Sequence, residues 1–346
     1  MSARLARLFI GTSPRPWLVA SLIAVAAATG VLARNPAFQG ADPHAVVIDG
    51  ELWVFPTGGP SGSWKGDRFA AYSSRDLKTW KRRGILIRRD QIPWIRDDGA
   101  KDHFLWAPGV ATANGKWYLY YSVGPQNPTP SRIGVAVSGK PEGPYRDSGR
   151  PLITGGKDAN GEFEAIDPMV FHDRTSRKAY LYAGGSAGAK LRVWELGPDM
   201  TSVTREVAVA QPSRFTEGPF MHERGGTYYL SYSSGRWNQS DYSVHYATAS
   251  SPLGPWRYRG PILASDARRQ APGHHSFVQA PNGDWLIVYH RWEQRAGAVP
   301  LRGERQVAID RVRYMADGAI APIAMTEGAA SPTWPQPELK PRRSTP

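Results

Sequence analysis

Apolar and polar positions along this chain do not recur with the 3.6-residue period of a helix face. They alternate, or run on for a few residues, in short segments bounded by turn formers, which is the pattern of half-buried and fully buried strands. One order of segments returns five times: a strand-like run, a turn, then a run rich in aromatic and β-branched residues. The turn and second run read Asp49-Gly50-Glu51-Leu52-Trp53-Val54-Phe55, Asn114-Gly115-Lys116-Trp117-Tyr118-Leu119-Tyr120, a weaker Arg177-Lys178-Ala179-Tyr180-Leu181-Tyr182, Gly225-Gly226-Thr227-Tyr228-Tyr229-Leu230 and Asn282-Gly283-Asp284-Trp285-Leu286-Ile287-Val288. Four of these turns carry Asp-Gly, Asn-Gly or Gly-Gly, where glycine accepts the positive φ of a tight hairpin.

Strand-like runs precede each turn, at 45–48, 109–112, 168–172, 219–222 and 276–280. A third strand follows in most copies, at 69–72, 133–137, 191–194 and 244–247. Segments such as Leu77-Lys78-Thr79-Trp80, Gly143-Pro144-Tyr145 and Gly254-Pro255-Trp256 then turn the chain toward a fourth. The repeats lie about 50 to 65 residues apart, close to the period of propeller blades. The expected fold is therefore all-β, a five-bladed β-propeller with four-stranded antiparallel blades. A sandwich of hairpins is the alternative, and it does not require the same order of elements five times.

Composition sharpens this picture at three points. Gly 36, Pro 30, Trp 13 and Tyr 15 suit a turn-rich β protein, and the absence of cysteine removes disulfides and thiolate zinc sites. At the N-terminus Arg4, Arg7 and Arg15 lead into an apolar stretch at 17–33, so residues 1–33 read as a signal peptide or an N-terminal membrane anchor, 34–331 as the propeller and 332–346 as a Pro-rich basic tail. The expected location is secreted or periplasmic, with membrane contact only through an uncleaved N-terminal segment, and the expected state is a monomer. Removing a segment with three arginines and no acids takes the net charge from +13 to +10. Those charges are scattered apart from Lys81-Arg82-Arg83 and Arg342-Arg343, and no nucleic-acid module accompanies them, so no nucleic-acid partner is expected.

In a propeller the residue just before each innermost strand lies near the axis. Those positions read Ala41-Asp42-Pro43, Trp106-Ala107-Pro108, Ile166-Asp167-Pro168, Thr216-Glu217-Gly218-Pro219 and Gly273-His274-His275-Ser276. Three of the five carry a carboxylate and one a histidine, all taken to be in the same phase of the repeat. A single Asp-Pro is commonly just a turn, but crowded carboxylates raise one another's pKa, which suits glycoside hydrolysis, where one carboxyl must donate a proton while another acts as a base. His274 is either a packed histidine or one ligand of a cation completed by waters.

At these segments the chain resembles glycoside hydrolase family 43, over roughly residues 35–324. The pieces that carry the resemblance are Ala41-Asp42-Pro43-His44-Ala45-Val46-Val47, Leu105-Trp106-Ala107-Pro108, Glu164-Ala165-Ile166-Asp167-Pro168-Met169-Val170-Phe171, Phe215-Thr216-Glu217-Gly218-Pro219-Phe220 and Gly273-His274-His275-Ser276-Phe277-Val278. The resemblance implies an inverting hydrolase in which Asp42 is the general base, Glu217 the general acid and Asp167 the residue that tunes and positions Glu217, with the Asp42 and Glu217 carboxyls roughly 6.5–9.5 Å apart to admit water. It implies substrate binding by His274 and Arg305, with Trp106 and Trp237 as sugar platforms. No cofactor is required, and Ca2+ or another cation in the central channel, near His274, is an option. Gly109 departs from the glutamate that many relatives place there.

The expected substrate is a carbohydrate, with exo removal of a terminal α-L-arabinofuranosyl or β-xylosyl unit from plant-type polysaccharide or oligosaccharide. Galactofuranosidase and endo-arabinanase are the alternatives within the family, and a propeller that binds polysaccharide without cutting it is the alternative outside enzymology. A retaining fructan-cleaving propeller would also need three carboxylates, but its acid motif joins Glu to Cys, and this chain has no cysteine.

Overall fold

The five sequence repeats become five antiparallel sheets whose innermost strands touch one another in a closed ring. The computed structural model describes residues 35–58, 64–159, 161–186, 189–297, 301–327 and 334. The N-terminal segment 1–33 and all of the 332–346 tail except Trp334 lie outside the described residues. After a short β1 (Phe38–Gln39), blade 1 is formed by β2 (Ala41–Ile48), β3 (Glu51–Gly58), β4 (Arg68–Ser74) and β5 (Lys81–Arg88). Blade 2 runs from β6 (Phe104–Ala113) through β7 (Lys116–Gly124) and β8 (Arg132–Ser138) to β9 (Arg146–Asp147) and β10 (Ile153–Thr154), both of which pair with β8. A small hairpin of β11 (Gly156–Asp158) and β12 (Gly161–Phe163) leads into blade 3: β13 (Met169–Asp173), β14 (Lys178–Ala183), β15 (Arg192–Leu196) and β16 (Val203–Val207). Blade 4 comprises β17 (Glu217–Arg224), β18 (Thr227–Ser234), β19 (Ser243–Ala249) and β20 (Arg257–Leu263). Blade 5 has β21 (Gln270–Gln279), β22 (Trp285–Trp292) and β23 (Arg305–Val312).

The fourth strand of blade 5 comes from the other end of the chain. β1 pairs antiparallel with β23, Phe38 opposite Val307, so the first strand of the domain closes the ring against the last. The sequence pattern does not show this, because two residues carry no periodicity. Nor does it show the break in the outer strand of blade 2, where Gly149, Arg150 and then Pro151, which has no amide hydrogen to give to a ladder, interrupt the pairing between the amides of Ser148 and Leu152.

Burial explains why the second strand of each repeat is the most legible. β3, β7, β14, β18 and β22 lie between neighbouring blades, so both faces are covered and the sequence runs apolar without alternation. Tyr121, Tyr182, Tyr229 and Tyr289 are buried there, each worth very roughly 1.5–3 kcal/mol in apolar burial. Outer strands such as β5 and β20 are charged and exposed along much of their length, which blunts the sheet edges. Three of the hairpins have positive φ at both turn residues, Asp49-Gly50, Asn114-Gly115 and Gly225-Gly226, as the primed turns require. Trp334 is fully buried in the cluster shared by blades 5 and 1, and its indole donates to Gly50 O at 2.9 Å. Among the described residues no helix is long and apolar enough to cross a membrane.

Candidate active site

Four of the inner strands carry the same irregularity near their start. Opposite three residues of the second strand, the inner strand places four: 41 to 44 against 57 to 55, 106 to 109 against 122 to 120, 217 to 220 against 233 to 231, and 273 to 276 against 290 to 288. Such a bulge re-aims the side chains around it. Just inside each one, and at the matching place in blade 3, sits a residue with positive φ: Asp42 (47°), Ala107 (46°), Asp167 (60°), Gly218 (60°) and His274 (39°). In four blades proline follows, which disfavours the right-handed helical conformation of the residue before it.

The register corrects one sequence expectation. Asp42 and Asp167 share a phase with Ala107, Gly218 and His274, but Glu217 lies one residue earlier, in the phase of Trp106. In the sequence the offset shows only as Gly218 standing between Glu217 and Pro219, where Asp42 and Asp167 precede proline directly.

The backbone amide of each positive-φ residue needs an acceptor, and the preceding blade supplies it. Ala107 N donates to Thr57 Oγ1 (2.6 Å), Asp167 N to Ser122 Oγ (2.9 Å) and His274 N to Ser233 Oγ (2.8 Å). For Asp42 the acceptor is His290 Nδ1 at 3.1 Å. That nitrogen also lies 3.3 Å from Asp42 Oδ1, and a neutral ring can serve only one of them; the hydroxyl acceptors of the other blades assign it to the amide. In blade 3 the equivalent position is Gly184, with φ +130° and no room for a side chain, since a Cβ would stand 1.9 Å from Lys190 O. With no acceptor there, Gly218 N donates instead to Asp167 Oδ2 at 3.0 Å. The break in the repeat thus fixes one carboxylate beside the strand that carries another.

All seven residues picked from the sequence, Asp42, Trp106, Asp167, Glu217, Trp237, His274 and Arg305, line one cavity of about 370 Å3. Arg305, at the start of β23, donates to Asp42 Oδ1 at 2.9 Å. His274 Nδ1 lies 3.4 Å from Asp42 Oδ1 and 3.6 Å from Asp167 Oδ2, between two of the three carboxylates. Glu217 accepts from Tyr242 Oη at 2.8 Å on one oxygen and lies 3.2 Å from Ser186 Oγ on the other. Trp106 packs on Gly124, where a Cβ would meet the ring at 2.1 Å, and its indole donates to Trp64 O. Trp237 packs against Trp292 with ring centroids 6.1 Å apart, and the Arg305 guanidinium lies 5.1 Å from its ring. It therefore supports Arg305 as well as forming cavity wall. Sequence reading misses Trp64, Ser186, Tyr242 and His290. His290 is within reach of it, because it holds the phase of Thr57, Ser122 and Ser233 on its own second strand; Tyr242 stands just before β19, where blade 2 has Ser131, and no shared residue type marks that position.

The carboxylates have opposite electrostatics. Burial tends to raise Asp42, but the Arg305 guanidinium beside it, followed by His274, holds it well below the usual carboxylate range. Burial raises Glu217 above its usual value, and the Asp42 charge adds to this against the hydrogen bond from Tyr242. Burial also raises Asp167 well above its usual range, reinforced by the charges of Glu217 and Asp42. Asp167 and Glu217 thus titrate as a pair. The arrangement can hold a base ionised and an acid protonated in one enclosed space at the same pH. Burial lowers the His274 pKa, which favours a neutral ring there. Among the described residues no group of three or more His, Cys, Asp or Glu side chains converges to hold a metal ion, so the side chains around His274 do not by themselves make a cation site.

The sequence matches the family model for glycosyl hydrolases family 43 over residues 33–320. The chain belongs to that family. Among its relatives is the Beta-D-galactofuranosidase xynD of Aspergillus niger, 37% identical over 85% of this chain and 86% of that protein. Another is the Xylosidase/arabinosidase 43A of Humicola insolens, 30% identical over 81% of this chain and 95% of that protein. An alpha-L-arabinofuranosidase of Clostridium thermocellum has a similar solved structure, with TM-score 0.65 and 31% identity, covering 83% of this chain and 94% of its own. Membership of family 43 makes the chain a glycoside hydrolase, with a carbohydrate as its substrate.

Proposed function

We propose that this family 43 protein removes terminal pentose units, α-L-arabinofuranosyl or β-xylosyl, from the ends of oligosaccharides or polysaccharides, with inversion at the anomeric carbon. The observation that carries the reading is one cavity lined both by Asp42 paired to Arg305 and by Glu217 bonded to Tyr242, a carboxyl whose pKa is held low beside one whose pKa is raised. In that scheme Asp42 takes a proton from water as the water attacks the anomeric carbon. Glu217 gives its proton to the departing glycosidic oxygen as the C–O bond breaks, and Asp167, which titrates together with Glu217 and accepts from the adjacent Gly218 amide, tunes and positions it. Trp106 and the half-exposed Trp64 offer apolar faces for the sugar. Names among the relatives, a xylosidase/arabinosidase and an arabinofuranosidase, support the pentose. The 37% identity to a galactofuranosidase supports a second reading, in which the same site takes a galactofuranosyl unit with its longer exocyclic chain. We further propose action outside the cytoplasm, on the strength of the arginine-led apolar stretch at 17–33.

The test is hydrolysis of p-nitrophenyl α-L-arabinofuranoside, β-D-xylopyranoside and β-D-galactofuranoside, with the anomer of the first-formed sugar read by proton NMR. Preference for a pentoside with inverted product supports the proposal. Preference for the galactofuranoside selects the second reading, and a retained product overturns the mechanism.

A further inference from the structure

Tyr242 is buried completely, and its hydroxyl meets the Glu217 carboxyl, with the Ser233 side chain as a second hydrogen-bond partner. It stands just before β19, and its ring lies over Gly273, where a Cβ would come within 2.0 Å of it. It runs nearly parallel to the His290 ring, with centroids 6.0 Å apart and planes 8° off. Its side chain therefore has little freedom, and its hydroxyl is placed by packing rather than by the bond it makes. That hydroxyl donates to Oε1 of Glu217, while Oε2 lies beside Ser186 Oγ at the cavity wall. A neutral carboxyl has one oxygen that accepts and one that carries the proton. With Tyr242 donating to Oε1, the proton of the neutral carboxyl is left to Oε2.

Resting on the glycosidase reading above, we propose that Tyr242 is a positioning residue for the general acid: by holding Oε1 of Glu217 it places the transferable proton on Oε2, the oxygen beside Ser186, toward the leaving group. Before substrate binds, Ser186 Oγ accepts the Oε2 proton; with substrate bound the glycosidic oxygen takes that place. As the glycosidic C–O bond breaks, the Oε2–H bond breaks too, the proton passes to the leaving oxygen, and the new carboxylate keeps the Tyr242 hydrogen bond. The phenol stays neutral throughout, because burial holds its pKa well above the usual tyrosine value.

The test is Tyr242→Phe, which keeps the ring and removes the donor. Three readouts are taken: kcat/KM on an unactivated pentosyl oligosaccharide, kcat/KM on the 2,4-dinitrophenyl pentoside, and the alkaline limb of the pH profile. The expected loss is about tenfold or more on the oligosaccharide and no more than about twofold on the dinitrophenyl substrate, whose leaving group departs without a proton. The alkaline limb moves to higher pH, since losing a donor to the carboxylate raises the pKa of Glu217. Equal losses on both substrates, or a limb that stays in place, overturn the proposal. Should the Phe variant fail to fold, 3-fluorotyrosine placed at 242 serves instead: a stronger donor of nearly the same shape, it moves the limb to lower pH, and an unmoved limb is the overturning result. Wild-type protein inactive on every glycoside would defeat the glycosidase reading itself, an outcome distinct from either variant result.

Discussion

The two corners of the cavity are built on the same repeat and end in opposite charge states. At the Asp42 corner a guanidinium is 2.9 Å from the carboxylate and the head amide is held by His290. At the Glu217 corner the contacts are hydroxyls, Tyr242 and Ser186, and a second buried carboxylate is held nearby by the Gly218 amide. Both corners are buried, so desolvation alone would push both carboxyls toward the protonated form. The difference between them comes from where the cation is placed. A propeller supplies five equivalent positions, and a base and an acid arise where single residues depart from the repeat.

The strongest way to break this comparison is to neutralise each corner in turn. Asp42→Asn and Glu217→Gln are each expected to lower kcat/KM on an unactivated oligosaccharide by roughly 10²–10⁴-fold. On a 2,4-dinitrophenyl glycoside the Glu217 variant recovers much of the wild-type rate and the Asp42 variant does not. Matching losses on that substrate would mean that the corners do not divide the labour as their surroundings suggest.

Next in size is Arg305→Gln. The base must be ionised, and without the guanidinium the Asp42 pKa climbs, so activity is lost at a higher pH as pH falls; the acid limb of kcat/KM moves up by roughly 1–3 units. Arg305 also weakly lowers Glu217, so the alkaline limb moves up as well, but less, because the guanidinium is bonded to Asp42 and not to Glu217. Equal movement of both limbs would show that the cation serves the whole cavity rather than one corner.

These corners are only partly legible in the amino-acid sequence. The repeat, the five blades and the blade-head residues Asp42, Trp106, Asp167, Glu217 and His274 follow from turns, buried second strands and position in the repeat, which leave strong local marks, whereas Trp237 and Arg305 come only from the family resemblance. The one-residue offset between Glu217 and Asp42 leaves only the faint mark of Gly218 standing between Glu217 and its proline, and which phase faces the cavity is a property of pairing between two strands that neither shows alone. Ring closure by β1 is hidden for the same reason: its partner lies almost at the other end of the domain. Tyr242 and Ser186 reach Glu217 from loops, where position is set by packing against Gly273 and other distant residues rather than by spacing.

Gly184 offers a smaller test of how the acid corner came to differ. Gly184→Ala places a Cβ against Lys190 O at a backbone angle unsuited to a side chain, and is expected to cost about 1–3 kcal/mol, seen as a lower midpoint in urea at unchanged slope. An unchanged midpoint would mean that the β14 end can move aside, and that the missing side chain is not what directs Gly218 N to Asp167.

The finest test sets two chemically alike hydroxyls against each other. Thr57 and Ser122 are both buried and each accepts the head amide of the next blade, but Thr57 holds Ala107 and Ser122 holds Asp167. Thr57→Val and Ser122→Ala each leave one buried amide without its acceptor, at a cost of about 1–3 kcal/mol, so both should lower the urea midpoint by similar amounts. Only the Ser122 variant also loosens a carboxylate of the cavity, and its kcat/KM on the oligosaccharide should fall roughly three- to tenfold while that of the Thr57 variant stays near wild type. If both variants lose stability and both keep full activity, the amide acceptors are scaffold alone and the position of Asp167 is set by its bond to Gly218. If both lose activity, strain in one blade reaches the cavity through its neighbours, and the two corners cannot be treated as separate.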